Sequence, residues 1–153
     1  MADAFRARHE ERTASFTLEL PLARAFELFT PRGEKAWAEG WDPEFLHPPD
    51  GTLVEGAVFR TRHGGEETLW MAMRCDRDAG EVDYLRATPG SRIATIHVRC
   101  TPLGAGRTSV AVRYAFTGLS EAGNEWIRAM DEPRYAQLID SWRAAIEAAL
   151  RAQ

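Results

Sequence analysis

Apolar residues recur at steps of three and four along the C-terminal part of the chain. This spacing places them on one stripe of an α-helix, and Ser120 is a suitable N-cap before it. The pattern predicts a long one-sided helix over 120–153, which needs a large apolar partner. The stripe consists of Trp126, Ile127, Met130, Tyr135, Leu138, Ile139, Trp142, Ile146, Ala149 and Leu150.

Pro133 interrupts that stripe. Proline lacks a backbone donor and crowds the preceding helical turn, so it is poorly tolerated inside a helix. We therefore expect a kink or short break at 131–132, which separates a short arm over 121–131 from a long arm over 134–151.

The middle of the chain alternates between apolar and polar residues and is divided by short turn signals. Such alternation is typical of β-strands with one buried face. Short turns join antiparallel neighbours, so the pattern predicts an antiparallel meander upstream of the long helix. The predicted strands lie at 57–63, 66–75, 81–88, 91–101 and 107–117.

A further strand and two short helices precede this meander. Alternation over 12–20 predicts the first strand, and Pro21 opens a short helix over 21–30. Residues 34–39 add one more helical turn, 40–51 form an irregular packed loop, and 1–11 form a loose leader. The order of elements predicts an α+β fold, with a curved antiparallel sheet of six to seven strands around the C-terminal helix.

Length and charge narrow the class of protein. A chain of 153 residues with 44% hydrophobic content supports one domain over 1–153 with a sizeable core. The net charge of −4 argues against a nucleic-acid-binding protein. Because no apolar run approaches the ~18 residues that cross a bilayer and the N-terminus has no apolar signal core, we expect a cytoplasmic protein.

Turn geometry predicts which side chains face the helix, because residues directly opposite each other on paired strands share a face. A two-residue turn at 64–65 pairs Phe59 with Trp70, and matching apolar residues in the last hairpin pairs Val98 with Val110. The predicted inner face consists of Phe59, Thr61, Trp70, Ala72, Arg74, Val82, Tyr84, Arg86, Ile96, Val98, Val110, Val112, Tyr114 and Phe116.

The centre of this face combines aromatic residues with two arginines. A filled core would prefer aliphatic residues without charge, whereas aromatic walls with a few polar anchors are typical of a small-molecule site. Alternatively, the aromatic residues only fill the core while Arg74 and Arg86 extend to the rim. A one-residue slip at the 76–80 loop would turn Met71 and Met73 inward in place of Trp70.

Tyr84 and Arg86 are the only candidates for catalytic residues. Arg86 could hold a carboxylate or phenolate, and Tyr84 could donate to a carbonyl. The break near Pro133 either serves packing alone or opens a ligand entrance. The predicted ligand-binding residues are Phe59, Trp70, Arg74, Tyr84, Arg86, Ile96, Tyr114, Trp126 and Met130.

Four passages carry a family likeness: FTLELP at 16–21, LVEGAVF at 53–59, YLRATPGS at 84–91 and YAFTGLS at 114–120. In this order they resemble the SRPBCC superfamily of START-like, birch-pollen-allergen-like helix-grip domains, in its polyketide cyclase/dehydrase-like branch. The resemblance implies a strongly curved sheet that grips a long C-terminal helix around a deep apolar pocket. It also implies members that range from lipid and hormone carriers to cyclases, hydrolases and co-chaperones, without a fixed catalytic motif.

Three functions therefore remain open. The first is binding of a small apolar or aromatic ligand, with or without a negative charge, and the second is a cyclase, dehydratase or hydrolase that uses pocket Tyr and Arg groups. The third is a co-chaperone-like interaction domain or a homodimer, with Leu69, Met71 and Met73 on the outer face as the contact. The scattered histidines and the spacing of Cys75 and Cys100 predict neither a metal site nor a disulfide, and we expect no cofactor.

Overall fold

The computed structural model describes residues 4–153, which form seven β-strands, three α-helices and one short 3₁₀ helix. The strands are β1 (His9–Leu18), β2 (Glu44–His47), β3 (Val58–His63), β4 (Glu66–Asp76), β5 (Glu81–Thr88), β6 (Arg92–Pro102) and β7 (Thr108–Gly118). The helices are α1 (Leu22–Glu27), the 3₁₀ helix (Gly33–Ala36), α2 (Glu121–Ala129) and α3 (Glu132–Arg151).

All seven strands belong to one antiparallel sheet in the order β1-β7-β6-β5-β4-β3-β2. The meander from β3 to β7 follows the chain, and β1 joins its end by pairing with β7. The helices cover one face, where α2 packs on β7 and α3 packs on β1. The predicted α+β architecture, a sheet around a long C-terminal helix, is confirmed.

The strand pairing confirms most of the predicted register. Phe59 lies opposite Trp70, and Trp70 lies opposite Arg86. The pairing of Val98 with Val110 is wrong, because Val98 pairs with Val112. This shift of two residues preserves the inner face, since side chains alternate with a period of two. Matching apolar residues could not detect it, because both registers place valine opposite valine.

Arg74 is the inner-face residue that was predicted incorrectly. A β-bulge between Ala72 and Arg74 interrupts the pairing of β4 with β5. A bulge adds one residue to a strand and changes which side its neighbours face. Arg74 consequently has half of its side chain exposed and forms an ion pair with Glu81 at 3.4 Å, away from the inner face.

Two expectations about irregular segments are also corrected. The predicted leader over 1–11 is wrong for residues 9–11, which belong to β1, and the Arg8 amide donates to Asn124 Oδ1 at 2.8 Å. Residues 1–3 lie outside the described residues. The predicted loop over 40–51 contains β2, which adds an edge strand beside β3.

The predicted break near Pro133 is confirmed, because the C-terminal helical segment is divided into α2 and α3. Asp131 caps α3 by accepting a hydrogen bond from the Arg134 amide at 3.0 Å. Pro133 then lies in the first turn, where a helix needs no backbone donor. Arg12 Nε donates to the Met130 carbonyl at 3.2 Å, which ties the break to β1. Within residues 4–153, no helix is long and apolar enough to span a membrane.

We predict that Gly123→Ala destabilises the protein by about 3 kcal/mol or more, because overpacking against rigid backbone is costly. A Cβ at Gly123 would lie 1.7 Å from the carbonyl oxygen of Ser91, in the turn between β5 and β6. The control is Gly106→Ala, whose Cβ would meet nothing within 4 Å. Urea denaturation followed by circular dichroism measures both free energies of unfolding. Equal stabilities would contradict the close packing of α2 on this turn.

Candidate ligand-binding site

A cavity of about 510 Å³ lies between the inner face of the sheet and the helices. This volume is within the range of about 300–1,000 Å³ that is typical of small-molecule sites. Every predicted ligand-binding residue except Arg74 lines it, and the bulge in β4 explains that exception. The predicted residues that the structure brings together here are Phe59, Trp70, Tyr84, Arg86, Ile96, Tyr114, Trp126 and Met130.

One wall of the cavity is a set of aromatic rings that hold one another in place. Phe59 and Trp70 stack at 5.5 Å with an interplanar angle of 8°, and Trp41 meets the Trp70 ring edge-on at 5.4 Å. The indole of Trp70 also donates to Thr61 Oγ1 at 3.0 Å. Because each ring is fixed by a neighbour or a hydrogen bond, this wall is formed before any ligand arrives.

Tyr84 contributes its ring to the cavity and its hydroxyl to the scaffold. The buried hydroxyl donates to the carbonyl oxygen of Phe29 at 2.8 Å, just after α1. Burial raises the pKa of Tyr84 well above its ordinary value. The hydroxyl is therefore already engaged, and the residue serves mainly to position the segment that follows α1.

Arg86 presents a positive charge to the cavity. Its Cζ lies 4.6 Å from the centroid of the Trp70 ring, and within residues 4–153 it forms no salt bridge. Burial raises the pKa of Tyr114, and the nearby Arg86 guanidinium partly opposes that rise. Arg86 and the phenol of Tyr114 thus form a polar corner inside an otherwise apolar cavity.

Glu34 is a cavity residue that the sequence analysis did not identify. Its carboxyl forms no salt bridge or side-chain hydrogen bond with any other residue in 4–153, and its free surface faces the cavity. Removal from bulk water raises the pKa of Glu34 well above its ordinary value of 4.5, and the charge of Arg86 partly offsets this effect. Glu34 therefore keeps its proton to higher pH than an exposed glutamate does.

The 3₁₀ helix aims Glu34 inward for local reasons. The Glu34 amide donates to the Thr30 carbonyl at 3.0 Å, and the buried Trp37 lies three residues later on the same face. Gly33 permits this arrangement, because a Cβ there would lie 1.7 Å from the Glu27 carbonyl oxygen. The spacing of Glu34 from Trp37 was the available sequence signal, but the surrounding charged residues are more typical of a solvated turn.

The cavity opens between the loop after the 3₁₀ helix and the β3–β4 hairpin, where its lining residues are exposed. Gly40 and His63 lie close together at this edge of the cavity, where a Cβ at Gly40 would lie 3.9 Å from His63 Nδ1. Beside it, Arg92 donates two hydrogen bonds to the Glu66 carboxylate, at 3.2 and 3.3 Å, and its Cζ lies 3.7 Å from the Trp126 ring centroid. The positive charge of Arg92 is thus already paired, and it links the hairpin to α2.

Comparison with known proteins identifies the architecture. No protein-family model and no curated protein matches the chain. Among solved structures, an uncharacterized protein from Rhizobium leguminosarum is 14% identical and aligns over 97% of this chain and 98% of its own, with a TM-score of 0.69. Ara h 8.0201 is 13% identical over 94% of this chain and 99% of its own, with a TM-score of 0.66.

A third similar structure is norcoclaurine synthase from Thalictrum flavum, solved in complex with dopamine and hydroxybenzaldehyde. It is 10% identical over 96% of each chain, with a TM-score of 0.63. The chain has the helix-grip fold. The resemblance inferred from the four sequence passages is therefore confirmed at the level of the fold.

In this helix-grip protein the sheet and the helices enclose the cavity beside a packed hydrophobic core. The side of the cavity formed by β5 and β7 carries Arg86 and Tyr114, and the 3₁₀ helix supplies Glu34. Such an arrangement can surround an apolar molecule, bind an anionic group and exchange a proton with it.

We predict that Glu34→Gln stabilises the protein at neutral and alkaline pH and has little effect below about pH 4. Because the pKa of Glu34 in the folded state lies above its ordinary value of 4.5, the folded protein binds more protons than the unfolded chain between these two pKa values. The free energy of unfolding of the wild type therefore falls as pH rises from about 4.5 to the folded-state pKa. Each unit of raised pKa costs about 1.4 kcal/mol once the carboxyl is ionised. Unfolding free energies measured across pH for both proteins check this, and parallel curves would contradict it.

Proposed function

We propose that the protein binds a small apolar or aromatic molecule in the cavity between the sheet and the C-terminal helices. The observation that carries this proposal is the cavity itself, about 510 Å³ in volume, which aromatic side chains line without filling. The fixed geometry of the Phe59–Trp70 stack adds support, because a preformed wall reduces the entropic cost of binding. Norcoclaurine synthase, which shares the fold, was solved with two aromatic molecules.

The expected affinity follows from the area that a ligand would bury. An aromatic group of about 200 Å² contributes about 5 kcal/mol at about 25 cal/mol per Å². Contacts with the rings of Phe59 and Trp70 add about 0.5–1.5 kcal/mol. Together these terms set an upper limit of about 6 kcal/mol, from which the loss of translational and rotational freedom on association must be subtracted.

A second candidate function is catalysis of a cyclase, dehydratase or hydrolase type. The observation that favours it is the placement of Glu34, Arg86 and Tyr114 around one cavity. A carboxyl that keeps its proton can act as a general acid or base, and a guanidinium can stabilise a developing enolate or alkoxide. If the protein is such an enzyme, Glu34→Gln removes turnover while binding persists.

The third candidate is a protein contact on the outer face of β4. Leu69, Met71 and Met73 are 40%, 39% and 52% exposed and point in the same direction. A co-chaperone-like interaction or a homodimer would use this strip, and Met71→Glu would disrupt it. The cavity variants described next would leave such an interaction unchanged.

We predict that the neutral fluorophore N-phenyl-1-naphthylamine binds the wild-type protein and that Ile96→Phe weakens binding roughly tenfold or more. Ile96 lines the cavity, and phenylalanine adds three carbons at this position. A single extra methylene in an apolar pocket already changes affinity by about 10–200-fold. The matched control is Thr95→Phe, which puts the same side chain on the exposed face of β6. Fluorescence titration measures Kd, and circular dichroism verifies that each variant is folded.

Two results would overturn this proposal. One is a folded wild-type protein that fails to bind the fluorophore and carries no small molecule in native mass spectrometry. The other is equal weakening by Ile96→Phe and Thr95→Phe, which would place the bound probe outside the cavity.

A further inference from the structure

Two ionisable groups line the cavity without forming an ion pair with any residue in 4–153. Arg86 forms no salt bridge within residues 4–153, and the Glu34 carboxyl forms neither a salt bridge nor a side-chain hydrogen bond there. Arg92 differs, since its guanidinium is bound by Glu66 and covers the Trp126 ring. Both side chains are partly buried, and a charge that is withdrawn from bulk water is stabilised by a partner. These two groups therefore mark the place where a ligand would supply that partner.

The groups that face Glu34 come from two strands. Arg86 and Tyr84 face it from β5, and Tyr114 faces it from β7; each of them interacts electrostatically with the Glu34 carboxyl. The two phenols stay neutral because burial raises the pKa of each. Among the described residues, Arg86 and Glu34 therefore determine the net charge of the cavity interior.

The remaining ionisable groups of the cavity lie near its opening. Glu39, Arg62 and His63 are exposed to solvent there, and Glu66 is paired with Arg92. Solvent screens these groups far more than those in the interior. His63 nevertheless needs a control, since imidazoles in general change charge near neutral pH.

The protonation state of Glu34 determines which ligands the interior accepts. With a neutral Glu34, Arg86 leaves one uncompensated positive charge, and an anionic ligand neutralises it. With an ionised Glu34, the interior has no net charge, and an anion would be placed beside a carboxylate of the same sign. At protein-like dielectric constants a charge a few ångströms away changes affinity by roughly tenfold or more.

We propose that the cavity binds a monoanionic aromatic ligand, such as a carboxylate or phenolate, together with the proton on Glu34. Arg86 binds the anionic group, and the neutral carboxyl of Glu34 donates a hydrogen bond to the same ligand. This inference rests on the proposed ligand-binding function and deepens it by specifying the charge of the ligand and its dependence on pH.

The sign of the pH dependence follows from proton linkage. Binding favours the protonated form of Glu34, so anion affinity is greatest at low pH and falls as pH rises through the range in which Glu34 ionises. A neutral ligand of the same shape takes up no proton and shows little change. Binding of the anion is accompanied by proton uptake, whose extent increases with pH across that range.

The test compares two fluorophores with the same aromatic skeleton. 1-Anilinonaphthalene-8-sulfonate is anionic throughout the accessible pH range, and N-phenyl-1-naphthylamine is neutral. Both are titrated into the full-length protein from about pH 5 to about pH 9, because buried carboxyls can reach a pKa of about 8–9. We expect the Kd of the sulfonate to rise roughly tenfold or more over this range, while the Kd of the neutral probe changes less than about twofold.

Three variants assign the effect to its residues. Glu34→Gln keeps a neutral donor, so it binds the sulfonate as tightly at high pH as wild type does at low pH. Arg86→Met, which keeps the apolar stem, binds the sulfonate weakly at every pH and retains the neutral probe. His63→Gln retains the wild-type pH dependence, which separates Glu34 from the imidazole at the opening.

Each outcome decides between the two proposals. Binding of both probes with no pH dependence for the sulfonate overturns the role of Glu34 and leaves the ligand-binding function standing. Loss of the pH dependence in His63→Gln also overturns the role of Glu34. An equal gain in sulfonate affinity at every pH in Glu34→Gln overturns it too, because Glu34 would then be ionised over the whole pH range. Failure of the wild-type protein to bind either probe overturns both proposals.

Discussion

The cavity depends on one short segment, residues 28–31, whose backbone carbonyls anchor three aromatic side chains. Trp37 donates to Leu28 O at 2.8 Å, Tyr84 donates to Phe29 O at 2.8 Å, and Trp41 donates to Pro31 O at 2.7 Å. The carbonyls at the end of a helix lack intrahelical donors, and α1 ends just before this segment. The amides of residues 28–30 satisfy the last carbonyls of α1. The aromatic N–H and O–H groups satisfy carbonyls of the segment that follows, and these bonds orient the rings around the cavity.

This anchoring explains why a charged residue faces an apolar interior. The 3₁₀ helix is fixed at one end by residues 28–31 and at the other by Trp37, so Glu34 between them has little freedom to turn toward solvent. Arg86 on β5 faces it from the sheet, in a position fixed by the pairing of β4 with β5. The polar part of the cavity therefore results from two independent constraints, a helix end and a strand register.

The sheet and most of its inner face could be predicted from the sequence, because alternation and short turns determine which residues share a face. A bulge is invisible to alternation, which is why Arg74 was misplaced. The register of β6 and β7 was wrong by two residues because apolar matching is periodic. Glu34 was missed because its place in the cavity arises from packing between distant segments. Its spacing from Trp37 was the only local signal, and the charged residues around it are more typical of a solvated turn.

Whether aromatic residues fill a core or line a cavity depends on the distance at which the helices pack on the sheet. No residue pattern encodes that distance. A dry void of about 510 Å³ would cost on the order of 10 kcal/mol at about 24 cal/mol per Å³, as much as the whole stability of a typical domain. The cavity can persist because it opens to solvent and because Glu34 and Arg86 offer hydrogen bonds to water. A ligand that replaces that water must satisfy the same two groups, so the feature that keeps the cavity open also selects its occupant.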